Sequence, residues 1–430
     1  MHIQVPRGTQ DILPGQVEKW HYVEAFMRQV AHEYGFQEIR TPIFEHTELF
    51  LRGVGETTDI VEKEMYTFAD KKGRSLTLRP EGTASAARSF IEHSLYAQPQ
   101  PTKLYYIGPI FRYEAPQAGR YRQHHQFGVE VFGSPYPVTD AEVILLAVDL
   151  FSRLGLTQLI VHINNIGCPE CRTAFRDALV AYFEPHSSEL CPDCRSRLQR
   201  NPLRILDCKQ QKCGRLVQGA PEISAFLCQG CQDHFNGVQH YLTATGVKYE
   251  VDTRIVRGLD YYTRTVFEVI STDLGAQSTV CGGGRYDHLI ETVGGPPTPS
   301  VGFGMGIERL LLTLEQNNCC LPGSKIPDLF FATLGDAAQI TAFKLLFLLR
   351  QAGVTALMDQ MGRSLKAQLK YANKLGARYV AILGESELVE GKVQLKQMSD
   401  GREWVFPLEE LVVRMSEICG NVGLQTEEEA

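Results

Sequence analysis

Residues 104–133 read LYYIGPIFRYEAPQAGRYRQHHQFGVEVFG, a pattern that predicts two strands joined by a cationic loop. Because side chains alternate along a strand, the second strand has one polar and one apolar face. The polar face carries Gln126, Gly128 and Glu130, and the apolar face carries Phe127, Val129 and Val131. The hairpin therefore predicts a sheet that packs against a core on one side and presents polar groups on the other.

Cationic side chains accompany this hairpin. Arg112 and Glu114 share a face of the first strand, and Arg120 and Arg122 lie in the loop beside Gly119. The planar fork of a guanidinium matches the oxygens of a phosphate, so the loop suits phosphate recognition. An ordinary hairpin with a solvated tip is the alternative that this stretch alone leaves open.

The composition describes a soluble globular protein of two or three domains. The chain has 430 residues, of which 43% are hydrophobic and 22% charged. No apolar run approaches the ~20 residues that span a bilayer, and the start, MHIQVPRGTQDILPG, has no targeting pattern. We therefore expect a cytoplasmic protein without membrane contact. The net charge of -7 argues against non-specific nucleic-acid binding and leaves a specific RNA partner open.

Eight of the twelve cysteines lie between Cys168 and Cys231. The pair Cys168 and Cys171 is followed, after 19 residues, by the pair Cys191 and Cys194, a spacing typical of paired zinc knuckles. This predicts a structural zinc site made of these four thiolates. A second, less regular set contains Cys208, Cys213, Cys228 and Cys231. Free reduced thiols, or a degenerate site that has lost its metal, are the alternatives.

The first hundred residues predict a helix, an edge strand and a ligand-binding corner. Apolar residues recur at helical spacing from Val17 to Tyr34, and an extended run follows from Phe36 to Phe44. That run contains Pro42, which suits an edge strand or a dimer interface. Further on, Thr83 is placed to cap a helix after a strand, which leaves Glu81 and Thr83 at the corner.

Two later stretches add an arginine and a pair of tyrosines. Residues 253–268 read TRIVRGLDYYTRTVFE, in which Arg257 precedes a glycine turn and Tyr261 and Tyr262 suit a pocket for a small ring. Residues 281–287 read CGGGRYD, where glycines allow close backbone approach. Arg309 falls in the first turn of a helix, a position that favours a cation only beside a bound anion.

Together these residues predict phosphoryl or nucleotidyl chemistry. Arg112, Arg257 and Arg309 supply positive charge for a triphosphate. The groups suited to a small polar ligand are Glu81, Gln126, Glu130 and the two tyrosines. The sequence has no glycine-rich Walker loop, which excludes a P-loop fold.

The chain resembles the bacterial histidyl-tRNA synthetases, a family of class II aminoacyl-tRNA synthetases, over nearly its whole length. Three stretches are similar to class II motifs 1, 2 and 3: residues 35–45, 111–130 and 302–309. The stretches at 257–268 and 281–287 resemble the two signature peptides of the histidine enzymes. The resemblance implies an α+β fold with an antiparallel sheet flanked by helices, and a homodimer formed through motif 1.

The resemblance also implies a domain plan. The class II catalytic core occupies residues 1–166 and 249–322, and a cysteine-rich insertion occupies residues 167–248. Short strands and helices alternate from Asp328 onward, and this α/β region at 327–420 matches the place of the anticodon-binding domain. An acidic tail at 421–430 is expected to be disordered.

The implied reaction is ATP-dependent ligation of L-histidine to tRNA(His) through a histidyl-adenylate, with Mg²⁺ accompanying ATP. Arg112 would hold the α-phosphate, Arg309 the γ-phosphate, and Arg257 would stabilise charge developing on the α-phosphate, with Glu114 also in the ATP site. The histidine-binding residues would be Glu81, Thr83, Gln126, Glu130, Tyr261 and Tyr262. Gln117, Arg120 and Arg122 are the candidates for tRNA contact.

Ala115 and His124 depart from the family form of motif 2, which leaves the recognition of the tRNA end open. A catalytically silent paralogue that regulates histidine biosynthesis is the first alternative, and intact signature peptides count against it. A synthetase for proline, threonine or glycine is the second, and the paired tyrosines disfavour it. A purely RNA-binding protein would leave Glu81, Arg257 and Arg309 unexplained.

Overall fold

The computed structural model describes residues 3–55, 58–116, 119–208, 210–271 and 279–420. The chain divides into two compact units, Met1–Pro322 and Gly323–Ala430. The predicted tail at 421–430 and the loop residue Gln117 lie outside the described residues. Within the described ranges, no helix combines the length and apolar character needed to cross a membrane.

A large mixed sheet dominates the first unit. The strands of this unit are β1 Gln37–Glu38, β2 Phe44–His46, β3 Tyr66–Ala69, β4 Ser75–Leu78, β5 Thr102–Phe111, β6 Gln123–Phe132, β7 Leu159–Asn165, β8 Tyr249–Val251, β9 Thr263–Ser271, β10 Thr279–Arg285 and β11 Ser300–Gly306. Eight of them form one sheet in the order β1-β5-β6-β11-β10-β9-β7-β8, and β2, β4 and β3 form a small second sheet. All neighbours in the large sheet are antiparallel except the edge pairs β1–β5 and β7–β8.

Helices cover one face of the large sheet. The helices of this unit are α1 Val17–Glu33, α2 Thr47–Val54, α3 Thr83–Glu92, α4 Pro137–Arg153, α5 Pro169–Phe183, α6 Pro192–Arg200, α7 Gln211–Val217, α8 Gln229–Ala244, α9 Leu289–Thr292 and α10 Ile307–Gln316. The main core joins α1, α4, α8 and α10 to the apolar face of β6, where Phe127, Val129 and Val131 are buried. The predicted two-faced hairpin is therefore confirmed.

The extended run from Phe36 to Phe44 is not one strand, which corrects the prediction. Its beginning is β1, which pairs parallel with β5 in the large sheet. Its end is β2, which pairs antiparallel with β4 in the small sheet. Pro42 lies between them and has no N–H for a ladder, so the chain passes from one sheet to the other at this point. Both pieces are edge strands, as predicted.

The cysteine-rich region has a hydrophobic cluster of its own. It joins α5, α6 and α7 through Phe175, Leu179, Leu198 and Val217. Three buried cysteines, Cys191, Cys194 and Cys213, belong to the same cluster. By contrast, α8 packs through Phe235, Val238 and Leu242 into the main core.

The second unit is an α/β domain, as the alternating pattern predicts. Its strands are β12 Leu329–Thr333, β13 Ala356–Met358, β14 Tyr379–Leu383, β15 Lys392–Gln397 and β16 Glu403–Pro407, and its helices are α11 Asp336–Gln351, α12 Leu365–Lys374, α13 Glu385–Glu390 and α14 Leu411–Ile418. The strand order is β13-β12-β14-β15-β16. Strands β13, β12 and β14 run parallel to one another, and β15 and β16 extend the sheet in antiparallel fashion.

Candidate active site

A cleft of about 820 Å³ lies along the polar face of the large sheet. Its walls come from β6, β9, β10, β11 and the first turn of α10. Six residues predicted to contact substrates or tRNA line it, namely Arg112, Glu114, Arg120, Gln126, Arg257 and Arg309. The sequence motifs that are far apart in the chain therefore converge on one cavity because neighbouring strands of the sheet carry them.

Arg257 is held against the floor of this cleft by Glu268. Its Nη1 donates to Glu268 Oε1 over 2.6 Å, and Glu268 Oε2 accepts from Thr279 Oγ1 over 3.0 Å. A Cβ at position 282 would lie 2.3 Å from Arg257 Nη1, so Gly282 leaves the space that the guanidinium fills. The buried Nε of Arg257 has no hydrogen-bond partner among the described residues, which leaves a donor for an incoming anion.

The other cations of the cleft are set by backbone contacts. Arg309 Nη1 donates to Thr279 O over 2.9 Å, and Arg112 Nε donates to Pro80 O over 2.6 Å. Burial and the charge of Arg120 lower the pKa of Arg309. Burial, with the charge of Arg112, lowers the pKa of His124 to about 3, so this histidine is neutral. The cleft concentrates positive charge that a polyphosphate would neutralise.

Beside the cleft, a buried carboxyl group is surrounded by hydroxyl donors. Glu130 Oε1 accepts from Thr83 Oγ1 over 2.7 Å and from Tyr106 OH over 3.2 Å. Glu130 Oε2 accepts from Tyr286 OH. A Cβ at position 302 would lie 2.1 Å from Glu130 Oε2, so Gly302 on the neighbouring strand makes room for this carboxyl. Burial raises the pKa of Glu130 to about 8.

The tyrosines form an aromatic wall next to Glu130. The ring of Tyr261 lies 4.7 Å from that of Tyr262 and 5.3 Å from that of Tyr286, measured between centroids. The guanidinium of Arg257 lies 5.8 Å from the centroid of the Tyr262 ring. Tyr106 OH also lies 3.5 Å from Gln126 Oε1, which connects the wall to the cleft. The predicted histidine-binding residues and the predicted phosphate-binding residues are therefore contiguous.

Glu81, rather than Thr83, caps helix α3, which corrects the predicted cap. Glu81 Oε2 accepts from the backbone N–H of Thr83 over 2.7 Å, and Glu81 Oε1 accepts from that of Ala84 over 2.7 Å. A carboxylate satisfies two free N–H groups at a helix start and suits the positive end of its dipole. The hydroxyl of Thr83 is thereby free to donate to Glu130. The predicted strand-to-helix corner is confirmed, but Glu81 rather than Thr83 makes the capping contacts.

The sequence did not single out Tyr106, Tyr286 or Glu268, although each contacts a site residue. Tyr106 on β5 lies opposite Gly128 on β6. A bulky residue opposite a glycine on the polar face of the hairpin was the sequence signal that could have identified Tyr106. Tyr286 and Glu268 lie inside the quoted signature stretches. Their partners come from distant parts of the chain, so spacing alone did not identify their contacts.

The two described loop arginines differ in their contacts. Arg122 Nε donates to Glu114 O over 3.2 Å, and its guanidinium lies 3.8 Å from the centroid of the Tyr113 ring. Arg120 is 52% exposed at its side chain and lies 3.5 Å from Glu114 Oε2. Arg120 thus faces solvent and the cleft, whereas Arg122 supports the loop. Gln117 lies outside the described residues.

The eight clustered cysteines form two four-thiol groups, but not the predicted ones. One group, called the outer site, contains Cys168, Cys171, Cys228 and Cys231. The other, called the inner site, contains Cys191, Cys194, Cys208 and Cys213. Cys168 and Cys228 each directly precede a helix, α5 and α8, and the N–H of Cys228 donates to Cys171 Sγ over 3.1 Å. The contact between these two helix starts decides the grouping, which spacing along the chain does not reveal.

The geometry of both groups fits a tetrahedral metal ion. Bonds of ~2.3 Å from a zinc ion to four sulfurs place neighbouring sulfurs ~3.8 Å apart. In the outer site, Cys168 Sγ lies 3.5 Å from Cys171 Sγ and 4.0 Å from Cys228 Sγ. In the inner site, Cys191 Sγ lies 3.9 Å from Cys208 Sγ. Within each site all four sulfurs lie within 4.8 Å of one another, so four thiolates are arranged to bind one ion.

Comparison with known proteins identifies the family of this chain. Residues 8–171 and 215–310 match the family model "Histidyl-tRNA synthetase", and residues 328–418 match "Anticodon binding domain". A histidine–tRNA ligase of Desulforamulus reducens is 58% identical over 95% of this chain and 97% of its own length. That of Pelotomaculum thermopropionicum is 57% identical over 94% of this chain and 95% of its own length.

A solved structure agrees with these matches. The apo histidyl-tRNA synthetase of Staphylococcus aureus superposes with a TM-score of 0.82 at 42% identity, and the match covers 96% of this chain and 100% of that one. The resemblance drawn from the sequence is confirmed: the chain belongs to the histidyl-tRNA synthetase family.

Proposed function

We propose that this protein ligates L-histidine to tRNA(His) in two steps. A carboxylate oxygen of histidine attacks the α-phosphorus of ATP, forming a histidyl-adenylate as the bond to pyrophosphate breaks. A hydroxyl of the terminal ribose of the tRNA then attacks the histidyl carbonyl carbon, and AMP leaves. The observation that carries this proposal is the junction of an arginine-lined cleft with the buried Glu130 and tyrosine cluster.

Three arginines are proposed as the catalytic groups. Arg112 holds the α-phosphate, Arg309 holds the γ-phosphate, and Arg257 stabilises the charge that develops on the α-phosphate. The contacts of Arg257 with Glu268 and of Arg309 with Thr279 O fix these guanidiniums before substrate binds. Preorganised charge of this kind lowers the barrier without reorganisation during the reaction. Mg²⁺ would accompany ATP and neutralise phosphate charge, and Glu114, which lines the cleft, would offer it a hard oxygen ligand.

The histidine pocket is proposed beside these arginines. The ammonium group of histidine binds Glu130, with Thr83 and Gln126 as neighbouring polar contacts, and Tyr261 and Tyr262 frame the imidazole. Glu81 holds Thr83 in place through its cap. Arg120 is the contact for the acceptor end of the tRNA, because its side chain is 52% exposed.

The remaining domain roles follow the family. The catalytic core comprises residues 1–166 and 249–322, the insertion residues 167–248, and the unit from residue 327 to 420 reads the anticodon. A homodimer forms through the motif 1 region, where Ile43, Phe44 and Phe68 are exposed apolar side chains. None of the twelve cysteines, all of which lie in the described ranges, forms a disulfide, which supports a reducing, cytoplasmic location.

We further propose that the outer and inner sites each hold one structural zinc ion. Four thiolates leave no open position, so these ions take no part in the reaction. They fix a small region whose own hydrophobic cluster is limited. Elemental analysis of protein purified without chelators should give two zinc ions per chain, and a metal-free, fully folded protein would contradict the assignment.

Histidine-dependent exchange of pyrophosphate into ATP, measured without tRNA, tests the main proposal. Exchange with histidine, and with none of the other amino acids, is the expected result. Arg257→Ala should lower the exchange rate roughly a hundredfold or more while histidine affinity changes little. Arg254→Ala is the matched control, since Arg254 also lines the cleft but its side chain is 68% exposed and pairs with Asp252.

The regulatory paralogue is the alternative that the same experiment addresses. A folded, zinc-loaded protein that catalyses no exchange with any amino acid would favour it. The presence of all three arginines in one cleft, and the match of the second unit to the anticodon-binding model, argue for the ligase.

A further inference from the structure

The peptide at 257–262, which carries Arg257, Tyr261 and Tyr262, lies between strands and has little regular backbone pairing of its own. Residues 252–262 belong to no helix or strand. Backbone groups in such a segment need partners from elsewhere in the protein. Here, side chains of the cysteine-rich region supply several of them.

Two arginines hold the two ends of this peptide. Arg204 Nη1 donates to the carbonyl oxygen of Arg257 over 3.0 Å. Arg172 Nη1 donates to the carbonyl oxygen of Tyr262 over 3.1 Å and approaches that of Asp260 at 3.4 Å. A guanidinium that bonds backbone carbonyls fixes both the position and the direction of the chain. One end of the peptide carries the proposed catalytic arginine, and the other carries the tyrosines.

Each of these arginines is attached to one four-thiol site. Arg172 directly follows Cys171 of the outer site, in the first turn of α5. Arg204 lies in a short 3-10 turn, Pro202–Ile205, that runs between Cys194 and Cys208 of the inner site. The residues after this turn, from Leu206 to Cys208, form part of the cleft wall.

Further contacts fasten the inner site to the catalytic core. Arg197, on helix α6, which directly follows Cys191, donates to Asp59 Oδ2 over 3.1 Å. Arg204 Nη2 lies 3.5 Å from the same oxygen, and Asn201 Nδ2 donates to Asp260 Oδ1 over 2.9 Å. The segment from Arg197 to Arg204 thus bridges the core and the peptide at 257–262.

We propose that the two zinc-bound sites position the catalytic peptide, with Arg204 and Arg172 as the positioning residues. The inner site acts through Arg204 on Arg257 and therefore on the rate of adenylation. The outer site acts through Arg172 on Tyr261 and Tyr262 and therefore on histidine binding. This inference rests on the proposed function for its kinetic consequences, and on the contacts together with the proposed zinc ions for its structural ones.

Single substitutions separate the two effects in full-length, zinc-loaded protein. Arg204→Met should lower kcat for pyrophosphate exchange roughly tenfold with little change in KM for histidine, because one charge-assisted hydrogen bond is lost. Arg172→Met should instead raise KM for histidine by a similar factor. Lysine at either position restores part of the loss, because it also donates to a carbonyl. Arg215→Met, an exposed position on α7 of the same region, should change neither constant.

Zinc removal tests the connection to the metal. Wild-type protein is compared before and after chelation, with zinc content, circular dichroism and amide hydrogen exchange of residues 253–262 as readouts. We expect faster exchange in this segment, a lower kcat and a higher KM, all reversed by added zinc. Unchanged amide protection in folded, zinc-free protein would overturn the proposal, as would substitutions at Arg204 and Arg172 with identical kinetic effects.

The two proposals fail in different ways. Zinc-loaded wild-type protein without histidine-dependent exchange would contradict the proposed function. The zinc dependence of amide protection at 253–262 would still decide whether the sites position this peptide.

Discussion

Glu130 is a carboxyl group that the fold makes a weak acid. It is only 1% exposed, and burial is the main cause that raises its pKa to about 8. The hydroxyl donors Thr83, Tyr106 and Tyr286 partly counter this rise. The folded pKa exceeds the ordinary value of ~4.3. The contribution of Glu130 to stability is therefore complete below pH ~4.3, and it is lost as the pH rises through about 8.

We expect Glu130 to release a proton when histidine binds. An ammonium group beside Glu130 favours the carboxylate, so its pKa should fall on binding and up to one proton should leave near pH 7.5. Isothermal titration calorimetry in two buffers of different ionisation enthalpy measures this proton. Glu130→Gln preserves the shape of the group and should abolish the buffer dependence. Equal binding enthalpies for the wild type in both buffers would contradict the assignment of Glu130.

We expect a single methyl group added at position 282 to cause a kinetic defect. A Cβ here would lie 2.3 Å from Arg257 Nη1, the end of a flexible side chain, so Gly282→Ala should displace the guanidinium and leave the fold intact. The loss of this hydrogen-bonded position should lower kcat for exchange roughly tenfold or more. Gly323→Ala is the matched control, because a Cβ added at this position would have no atom of the described residues within 4 Å apart from its chain neighbours. Wild-type kinetics in Gly282→Ala would show that Arg257 adapts.

At the scale of elements, periodicity predicted most of the strands and helices. The two-faced strand β6 and the helix predicted from Val17 to Tyr34, observed as Val17–Glu33, follow from alternation and helical spacing. The break at Pro42 between β1 and β2 was missed because propensity does not say which sheet a strand joins. The cap by Glu81 was missed because Thr83 is also a common capping residue. Tertiary partners decided both cases.

Helix α4 and strand β10 are joined by a buried ion pair. Arg285 is 0% exposed, and its Nε donates to Asp140 Oδ1 over 3.1 Å. Burial alone raises the pKa of Asp140, and the charge of Arg285 more than offsets this, so the pKa lies well below its ordinary value. Asp140 therefore contributes stability above its unfolded pKa of ~3.9, and this contribution is lost as the pH falls through its folded pKa.

Asp140→Asn should lower the free energy of unfolding of the first unit by ~2–3 kcal/mol, because it removes the charge of the fully buried carboxylate and leaves Arg285 with Asp287, 3.0 Å from its Nη1, as counter-charge. Urea denaturation followed by circular dichroism measures this change. Asp149→Asn, a partly exposed carboxylate on the same helix, should cost no more than ~0.5 kcal/mol. Equal costs for the two variants would mean that the buried pair contributes no more than a surface one.

At the scale of the molecule, the sequence predicted the family and the C-terminal α/β domain. The pairing of the cysteines was wrong. Spacing favoured Cys168 and Cys171 with Cys191 and Cys194, whereas folding brings the start of α5 to the start of α8. Which distant segments meet depends on the packing of α8 into the main core, and this packing leaves no local signal in the chain.

The exposed apolar residues near motif 1 predict the dimer interface. Phe44 is 52% and Phe68 45% exposed, and their rings lie 6.4 Å apart on the small sheet. Phe44→Asp places a charge in the proposed interface of both copies and should raise the dimer dissociation constant at least roughly tenfold. Sedimentation velocity measures this shift. Val389→Asp, at a position that is 88% exposed in the second unit, should leave the association state unchanged. A Phe44→Asp protein that associates like the wild type would place the interface elsewhere.

In the sequence, the four inner cysteines lie between the two outer pairs, which predicts an order of loading for the proposed zinc ions as the chain leaves the ribosome. All four inner cysteines are translated before Cys228, when the outer site has only Cys168 and Cys171. At that stage the nascent chain holds two rival partners for the Cys191 pair. The native choice closes a loop of 13 residues between Cys194 and Cys208, and the rival choice closes one of 19 residues between Cys171 and Cys191. The rival set of four thiols is complete as soon as Cys194 is made, before Cys208 and Cys213. Once these two have been made, the shorter loop costs less entropy, so the Cys191 pair favours its native partners and the first cysteine pair remains for the last one to emerge.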